Sequence, residues 1–195
     1  MLQIRSDGLL MRTLEDADAP ALVDAVQESV ESVGRWMPWC TPTYAEIEAR
    51  NWIALCQVNL AAGSAYDFGI FDESSSSFLG AAGLNSVNKE HRFCSLGYWV
   101  RQSRQRQRVA SRSVNMLTRY AFETLGLHRI EIVVAIGNAA SEAVALKSGA
   151  TAECVAKNRL FIHGSPVPAT VFSIVPQQFN EVVNSGSSGF GSHGR

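Results

Sequence analysis

The sequence predicts one α/β (α+β) domain, in which a mixed, mostly antiparallel central sheet carries helices on both faces. Residues 67–71, 78–85 and 95–100 are three strand-like runs with short polar connections between them, a pattern typical of antiparallel hairpins. Residues 125–150 then predict a helix end, a buried strand and a second helix without interruption. A chain of 195 residues with 46% apolar content can bury one substantial core.

The first third of the chain predicts one strand and two helices. Residues 9–12 predict a short strand, and Leu14 and Asp16 lead into an amphipathic helix. A second helix begins after Thr43, with glutamates in its first turns, where the helix dipole favours acidic side chains. The apolar residues that we assign to the buried stripe of this second helix are Trp52, Leu55, Cys56 and Leu60.

The second half predicts the remaining elements. A long amphipathic helix spans about residues 109–125, and alternating apolar residues predict a strand at 128–134. Residues 152–162 and 168–174 read as a final hairpin around residues 163–165. The predicted domain covers residues 1–176, and residues 177–195 form a C-terminal extension. Its Gly/Ser-rich end, residues 184–195, lacks the apolar groups needed to order itself.

Composition excludes several classes of function. The net charge of −1 argues against a protein whose whole surface binds nucleic acid. The four cysteines show no CxxC pair and no histidine spacing for zinc, so we expect reduced packing residues and no metal. A signal-peptide pattern and an apolar run of about 20 residues are both missing, which predicts a cytoplasmic protein with no membrane partner. Either a monomer or a homodimer is compatible with the sequence.

Asn138 and Ser141 mark the clearest candidate site. Asn138 stands where the N-cap of the helix after residues 128–134 belongs, and Ser141 lies three residues further on. An amide and a hydroxyl at a helix mouth beside a strand end occupy the position where α/β domains usually bind ligands. The alternative is that Asn138 only caps the helix and Ser141 only belongs to its first turn.

Four passages carry a resemblance to a known family. They are LLMRTLEDADAPAL at 9–22, WMPW at 36–39, LGYWV at 96–100 and NAASEAVALKSGA at 138–150. With these passages the chain resembles the GNAT superfamily of N-acetyltransferases, and within it the RimJ/RimL-like branch of ribosomal-protein N-terminal acetyltransferases. The resemblance implies transfer of the acetyl group of acetyl-coenzyme A (acetyl-CoA) to a primary amine. The acceptor would be a peptide N-terminus or a small-molecule amine that attacks directly in a ternary complex.

The same resemblance implies where acetyl-CoA binds. Backbone groups of residues 99–101 would pair with the pantetheine arm, and the pyrophosphate would bind at the helix start near residue 109. The family binds it through a loop of pattern Q-x-x-G-x-A or Q-x-x-G-x-G. The implied cofactor-binding residues are Trp99, Val100, Arg101, Gln105, Arg106, Gln107, Arg108, Val109, Ala110, Asn138 and Ser141.

The phosphate loop departs from the family pattern at two positions. Arg108 stands at the glycine of the motif, and Arg106 stands where close relatives commonly have another glycine. Glycine allows a ligand to approach the bare backbone and adopts unusual φ values freely. The arginines around this loop could instead hold phosphates with their side chains, could be a solvated surface, or could form an RNA-binding patch, which would lack interleaved aromatic residues.

The resemblance also implies catalytic and acceptor-binding residues. Ser141 would give a proton to the sulfur, with Asn138 facing the cofactor arm. Relatives have a glutamate base where this chain has Ser95 or Leu160, which leaves Glu90, His91 and Asp67 as weaker candidates. The implied acceptor-binding residues are Trp36, Trp39, Tyr66 and Ser95.

Two further points follow from residue type. Tyr98 and Trp99 are adjacent in a strand, so their side chains point to opposite faces and at most one can reach the acceptor. With a weak base, an α-amine is the better acceptor, because it is about a tenth neutral at pH 7 whereas a lysine is almost fully protonated. An alternative function is a degenerate binding or regulatory protein whose phosphate loop no longer accepts coenzyme A.

Overall fold

The computed structural model describes residues 2–177 and 179, which form one eight-stranded sheet with four α-helices. The strands are β1 (Gln3–Ser6), β2 (Leu9–Arg12), β3 (Tyr66–Asp72), β4 (Phe78–Asn88), β5 (Phe93–Val100), β6 (Arg129–Ala135), β7 (Thr151–Ile162) and β8 (Ser165–Ile174). Their spatial order is β1-β2-β3-β4-β5-β6-β8-β7. Only β5 and β6 pair in parallel, so the predicted mixed, mostly antiparallel sheet is confirmed.

Helices cover both faces of the sheet, as predicted. They are α1 (Ala19–Glu28), α2 (Glu46–Ala62), α3 (Val109–Glu123) and α4 (Ala139–Lys147). The helices α1 and α2 bury their apolar side chains with Phe78, Ala81 and Trp99 on one face. On the opposite face, α3 and α4 form a second apolar cluster with the central strands. The sheet therefore separates two cores, and a strand residue belongs to one or the other according to its parity.

Strand β1 was not predicted. Asp7 and Gly8 connect it to β2 with φ angles of 51° and 74°, as in a type I′ turn of a two-residue hairpin. An Asp-Gly pair before a predicted strand is a recognised hairpin signal. The strand was missed because residues 3–6 are short and mostly exposed, so they carry little apolar periodicity.

The predicted buried stripe of α2 was partly wrong. Leu55 is 54% exposed, whereas Ala49, Ile53 and Cys56 are buried. Trp52 is half-buried and lies beside that stripe. Both sets of residues repeat with helical spacing, so periodicity alone could not decide which of two adjoining faces meets the sheet.

The predicted C-terminal hairpin is confirmed, and its turn is shorter than predicted. His163 and Gly164 alone form the turn, with φ angles of 48° and 76°, and Ser165 already belongs to β8. Beyond β8, Phe179 is buried and its ring lies 6.0 Å from that of Phe122. The predicted disordered tail, 184–195, lies outside the described residues.

The sheet opens between β5 and β6. The two strands are paired at Phe93 with Arg129, at Cys94 with Ile130 and at Ser95 with Glu131, and no further pair joins them. Beyond these pairs β5 continues to Val100, while β6 pairs along its other edge with β8. A wedge therefore separates the carboxyl ends of the two parallel strands, which is where α/β sheets usually bind ligands.

The end of α1 is tied to the chain that leaves β5. Arg101 donates from its guanidinium to the Glu28 carboxylate, and the Ser103 N–H donates to the same carboxylate at 2.6 Å. The Gln102 N–H donates to Ser29 Oγ at 3.0 Å. These bonds fix the path of the chain between β5 and α3, and those from Arg101 and Ser103 hold the pKa of Glu28 down at about 2.

We expect the Glu28 contacts to make the fold sensitive to acid. Because the folded pKa is below the ordinary value of 4.5, the carboxylate stabilises the fold above pH 4.5 and loses that effect as the pH falls towards 2. Glu28→Gln should lower the free energy of unfolding by about 1 kcal/mol at pH 7 and by much less at pH 3. Urea unfolding at both pH values tests this, with Glu31→Gln on an exposed neighbour as control. Equal losses at both pH values would contradict it.

Candidate active site

A pair of hydroxyl groups spans the wedge between β5 and α4. The Tyr98 hydroxyl donates to the Ser141 carbonyl oxygen at 3.0 Å, and Ser141 Oγ lies 3.0 Å from the same Tyr98 oxygen. Since the tyrosine proton is committed to the carbonyl, Ser141 Oγ donates to Tyr98. Burial raises the pKa of Tyr98 to about 12, so the pair stays protonated at neutral pH.

Asn138 is the N-cap of α4, as predicted. Its side-chain oxygen accepts the Ser141 N–H at 3.2 Å, which fixes the first turn and the position of the Ser141 hydroxyl. Tyr98 and Trp99 point to opposite faces, also as predicted: Tyr98 reaches Ser141, while Trp99 packs with the core of α1 and α2. Tyr98 was missed as a partner of Ser141, although its opposite parity to Trp99 was a usable signal.

The loop before α3 keeps the backbone shape that glycine would give it. Arg106 and Arg108 both have φ angles of 61°, in the left-handed region, and Arg108 is the residue that precedes the first turn of α3. A non-glycine residue in this region costs about 1–2 kcal/mol. At the glycine positions of the family motif, the two arginines therefore adopt the backbone region that glycine favours.

The side chains of Arg101 and Gln105 are engaged inside the protein. Arg101 pairs with Glu28 and also donates to the Phe78 carbonyl oxygen at 3.2 Å. The Gln105 amide donates to the Val100 carbonyl at 3.0 Å and to Ser32 Oγ at 3.1 Å. These two side chains hold the loop in place, and their charge and amide groups are not free for a phosphate.

The side chains of Arg106 and Arg108 are exposed, and neither guanidinium group forms a hydrogen bond or ion pair with another described residue. Arg104, in the short 3₁₀ turn before them, is likewise exposed and unpaired within the described chain. Val109 is buried at the start of α3 and Ala110 is half-buried, while the Gln107 amide donates to the Ser103 carbonyl at 3.2 Å. Three free guanidinium groups thus surround the positive end of a 15-residue helix.

A cavity of about 290 Å³ lies on the other face of the sheet, between α2 and the central strands. Its walls are aromatic: Trp39 contacts Trp99 edge-on, with ring centroids 5.6 Å apart, and lies 6.1 Å from the Tyr44 ring. Two carboxylates, Asp67 and Glu48, are the acidic groups in its wall. The lining residues are Leu22, Met37, Trp39, Tyr44, Glu48, Trp52, Asp67, Ala81, Ala82, Gly83, Asn85, Gly97, Tyr98 and Trp99.

Asp67 is the most perturbed acid in this cavity. Burial raises its pKa to about 6, although the Cys56 thiol donates a hydrogen bond to it and lowers the pKa in part. Its carboxylate lies over the bare backbone of Gly83 on the neighbouring strand, where a Cβ would overlap it. From the sequence, Asp67 is only a weaker candidate for the base, because the residues around a strand aspartate do not reveal whether a helix covers it.

The segment with the WMPW motif joins the cavity to the hydroxyl pair. Trp39 lines the cavity, whereas Trp36 lies near Gly137, in the turn that leads into α4. The tip of the final hairpin holds this segment, because His163 Nε2 donates to the Gly34 carbonyl oxygen at 2.9 Å. The two tryptophans therefore lie near different parts of the site, Trp39 beside the cavity and Trp36 beside α4.

Tyr66 and Ser95 lie apart from the cavity. Tyr66 is on the α3 face of the sheet, with its ring 5.9 Å from that of Tyr120, because its parity is opposite to that of Asp67. Ser95 shares a face with Asp67 but sits at the base of the wedge, paired with Glu131.

Among the described residues, no group of three or more His, Cys, Asp or Glu side chains could hold a metal ion. No helix within 2–177 is long and apolar enough to cross a membrane.

Comparison with known proteins identifies the family. A family model described as an acetyltransferase (GNAT) domain matches residues 8–151. The chain belongs to the GNAT acetyltransferase family. The ribosomal protein uS5-alanine N-acetyltransferase of Escherichia coli (strain K12) is 28% identical over 172 residues, covering 84% of this chain and 85% of that protein. The N-acetyltransferase YoaA of Bacillus subtilis (strain 168) is 26% identical over 185 residues, covering 88% and 96%.

Solved structures of GNAT acetyltransferases share the fold. A Vibrio cholerae protein with 31% identity superposes with a TM-score of 0.81, covering 90% of this chain and 98% of that one. The ribosomal L7/L12 α-N-protein acetyltransferase RimL, in complex with coenzyme A, has a TM-score of 0.81 at 23% identity and covers 89% and 98%. The present GNAT protein is an acetyl-CoA-dependent N-acetyltransferase, and nothing in these comparisons supports a degenerate binding protein.

Two substitutions of Arg108 in this GNAT domain test whether its side chain assists or obstructs the binding of acetyl-CoA. Arg108→Ala removes the charge and keeps a Cβ, whereas Arg108→Gly removes both. Since Arg108 already has a φ angle that glycine favours, we expect both variants to bind acetyl-CoA about fivefold more weakly at low salt, the effect of one exposed charge. Arg108→Gly should unfold no more easily than Arg108→Ala. Calorimetric titration and urea unfolding test this, with Arg159→Ala as a remote control. Tighter binding by Arg108→Gly than by the natural chain would mean that the side chain obstructs the phosphate.

Asp67 should destabilise the GNAT domain at neutral pH. Because its folded pKa of about 6 is above the ordinary 3.8, the folded state binds the proton more tightly, and stability falls as the pH rises from about 4 to 6. Asp67→Asn should therefore raise the free energy of unfolding at pH 7.5 by roughly 1–3 kcal/mol and leave it nearly unchanged at pH 3.5.

The matched control is Asp72→Asn on the same strand. Hydroxyl and N–H donors from Ser74 and Ser75 hold the pKa of Asp72 at about 2, so this variant should lose stability at neutral pH. Thermal unfolding at the two pH values measures both effects. A loss of stability in Asp67→Asn at pH 7.5 would rule out the unfavourable burial of that carboxylate.

Proposed function

We propose that this enzyme acetylates a primary α-amine, either a peptide N-terminus or a small-molecule amine, by direct attack within a ternary complex. The observation that carries the proposal is the aromatic-walled cavity beside β5, which contains the carboxylates of Asp67 and Glu48 and no basic side chain among its lining residues. Such a cavity suits an ammonium group, which gains both from nearby negative charge and from aromatic faces.

The open edge of β5 supports a matching route for acetyl-CoA. Residues 96–100 have no strand partner on the side that faces β6, so backbone groups of Trp99 and its neighbours can pair with an extended arm that carries amide groups. At the start of α3, free N–H groups and the guanidinium groups of Arg106 and Arg108 suit phosphate oxygens. Arg101 and Gln105 contribute by holding this loop. The described residues thus fit acetyl-CoA from its phosphates to its arm.

The hydroxyl pair is suited to the end of that arm. Ser141 and Tyr98 meet across the wedge, next to the strand edge proposed for the arm. When acetyl-CoA is bound, it supplies the thioester whose carbonyl carbon the amine attacks. A hydroxyl in this position can give a proton to the departing sulfur, and Asn138 keeps Ser141 in place through the cap of α4.

The preference for an α-amine rests on proton affinity. An α-amine has a pKa of about 8, and a lysine side chain has one of about 10.4, so about 200 times more of the α-amine is neutral at pH 7. Removal of a proton from an α-amine therefore requires a weaker base. The name of the Escherichia coli relative, an alanine N-acetyltransferase of ribosomal protein uS5, supports a protein N-terminus as the first acceptor to examine. The expectation that the enzyme is a monomer or a homodimer stays a prediction.

A pair of peptides tests the acceptor class. One has a free N-terminal alanine and no lysine, and the other has a blocked N-terminus and a single lysine. At pH 7 we expect kcat/KM to be at least about 100-fold higher for the free α-amine, because of the difference in neutral fraction. Mass spectrometry of the products with acetyl-CoA as donor measures this. Equal rates for the two peptides would contradict the proposal.

With the same assay, Gly97→Ala tests whether the acceptor binds in the cavity. A Cβ on Gly97 would meet only Asn85 Nδ2, at 4.0 Å, so the variant should fold normally while its methyl group occupies the cavity floor. We expect KM for the α-amine peptide to rise about tenfold, because an added methyl group displaces the acceptor from close contact. The affinity for acetyl-CoA should stay within about twofold of the natural value, since that side chain points away from the α3 face. An unchanged KM would place the acceptor elsewhere.

A further inference from the structure

Asp67 is held close to the strand that borders the wedge. Its carboxylate lies over Gly83 of β4, and Gly83 is in register with Gly97 of β5. Neighbouring strands lie about 4.8 Å apart, so the carboxylate lies within about one strand spacing of Gly97. The two facing glycines leave a strip of bare backbone that leads from Asp67 to β5.

The space above Gly97 is open. The one atom within 4 Å of a Cβ built there is Asn85 Nδ2, at 4.0 Å. An amine nitrogen resting on this backbone would contact the Asp67 carboxylate on one side and would lie beside β5 on the other. The opposite edge of β5 is the one that faces the wedge. An amine in this position therefore lies between the carboxylate and the strand along which the thioester would run.

Within the part of the chain that the structure describes, no cationic side chain pairs with Asp67. The ionisable groups that face it are Glu48 and the Cys56 thiol from α2, and Tyr44 from the connection before α2, while the hydroxyl of Tyr98 lies on the opposite face of β5. The Glu48 carboxylate is occupied by the Ala45 N–H, at 2.7 Å, as part of the α2 cap. By contrast, Asp18 and Glu28, two other partly buried carboxylates, are each paired with an arginine. A partly buried carboxylate without a cationic partner attracts a cation, because the pairing would offset its lost hydration.

We propose that the Asp67 carboxylate binds the acceptor as an ammonium ion and removes its proton before attack, an inference that rests on the proposed amine-acceptor function. Asp67 takes one proton from R–NH3+. The nitrogen electron pair then forms the C–N bond to the acetyl carbon, and the C–S bond breaks with its electron pair on sulfur. The hydroxyl pair of Ser141 and Tyr98 gives a proton to the sulfur and regains one from solvent. The nitrogen loses its second proton to solvent, and Asp67 then releases the first.

The pH dependence of kcat/KM for the α-amine peptide distinguishes this role from a structural one. In the natural enzyme we expect the rate to rise through pH 6, as Asp67 loses its proton, and to fall above about pH 8, as the acceptor loses its own. Asp67→Asn should be about 100-fold slower at pH 7. It should lack the rise near pH 6 and should gain about tenfold between pH 7 and 9, because only the neutral amine can then react.

Cys56→Ser gives a second measurement that keeps the carboxylate. A serine hydroxyl is a stronger hydrogen-bond donor than a thiol, and donation to the charged form lowers the pKa of a carboxyl group. The rise in rate near pH 6 should therefore move to lower pH in this variant. A group other than Asp67 would show no such shift, so Cys56→Ser decides the question even if Asp67→Asn does not fold.

Controls separate the possible failures. Asp72→Asn, the same substitution at the far end of β3, should keep the natural pH profile and rate. Asp67→Asn should bind acetyl-CoA within about twofold of the natural affinity, because Asp67 lies across β4 from the wedge. If Asp67→Asn keeps the rise near pH 6 at the natural rate, or if Cys56→Ser leaves its position unchanged, the role of Asp67 is refuted while the proposed function stands. If the natural enzyme transfers no acetyl group to the α-amine, the proposed function fails first.

Discussion

The short parallel pairing of β5 with β6 is the constraint on which the rest of the site depends. Three residue pairs hold the strands together, and then β6 stays with β8 while β5 stays with β4. A strand edge inside a domain leaves N–H and C=O groups that need partners. Part of this need is met within the chain, where the Gln105 amide donates to the Val100 carbonyl. The remainder of the edge is available to a ligand with its own amide groups, which is why the fold is suited to a pantetheine arm.

Because side chains alternate along β5, they point to two different faces of the sheet. Tyr98 points to the α3 face and meets Ser141, whereas Trp99 points to the α2 face and walls the cavity with Trp39. The glycine pair Gly83 and Gly97 falls on the Trp99 face, where it leaves room beside the strand. One strand therefore separates a loop with exposed arginines from a cavity with two carboxylates. In the proposed ternary complex, this separation of opposite charges would direct the two substrates to different sides of the strand.

Patterns of local periodicity allowed most of the fold to be predicted, because helices and hairpins bury one face of each element. The N-cap at Asn138 could also be predicted, since it depends on residues close in sequence. The burial of Asp67 could not, because it results from the way α2 lies over β3, and no local pattern records that contact. The left-handed conformations of Arg106 and Arg108 could not be predicted either. The sequence shows that glycine is missing at these two positions, but not that arginine there would adopt the backbone conformation that glycine favours.

These features share a physical character, since each is unfavourable for the fold alone. Left-handed arginines strain the backbone, an unpaired buried carboxylate loses its hydration, and an unpaired strand edge leaves polar groups unsatisfied. In this domain they lie on both sides of one strand, whereas the carboxylates at Asp18 and Glu28, which lie outside the cavity and the wedge, are paired with arginines. Binding of an ammonium ion and of an extended amide chain would relieve the second and third costs, and binding of a phosphate would offset the first. Six other described non-glycine residues, among them Asp7 and His163 in hairpin turns, also adopt left-handed conformations. It is therefore the unpaired carboxylate and the open strand edge, on either side of β5, that argue for where the two substrates meet.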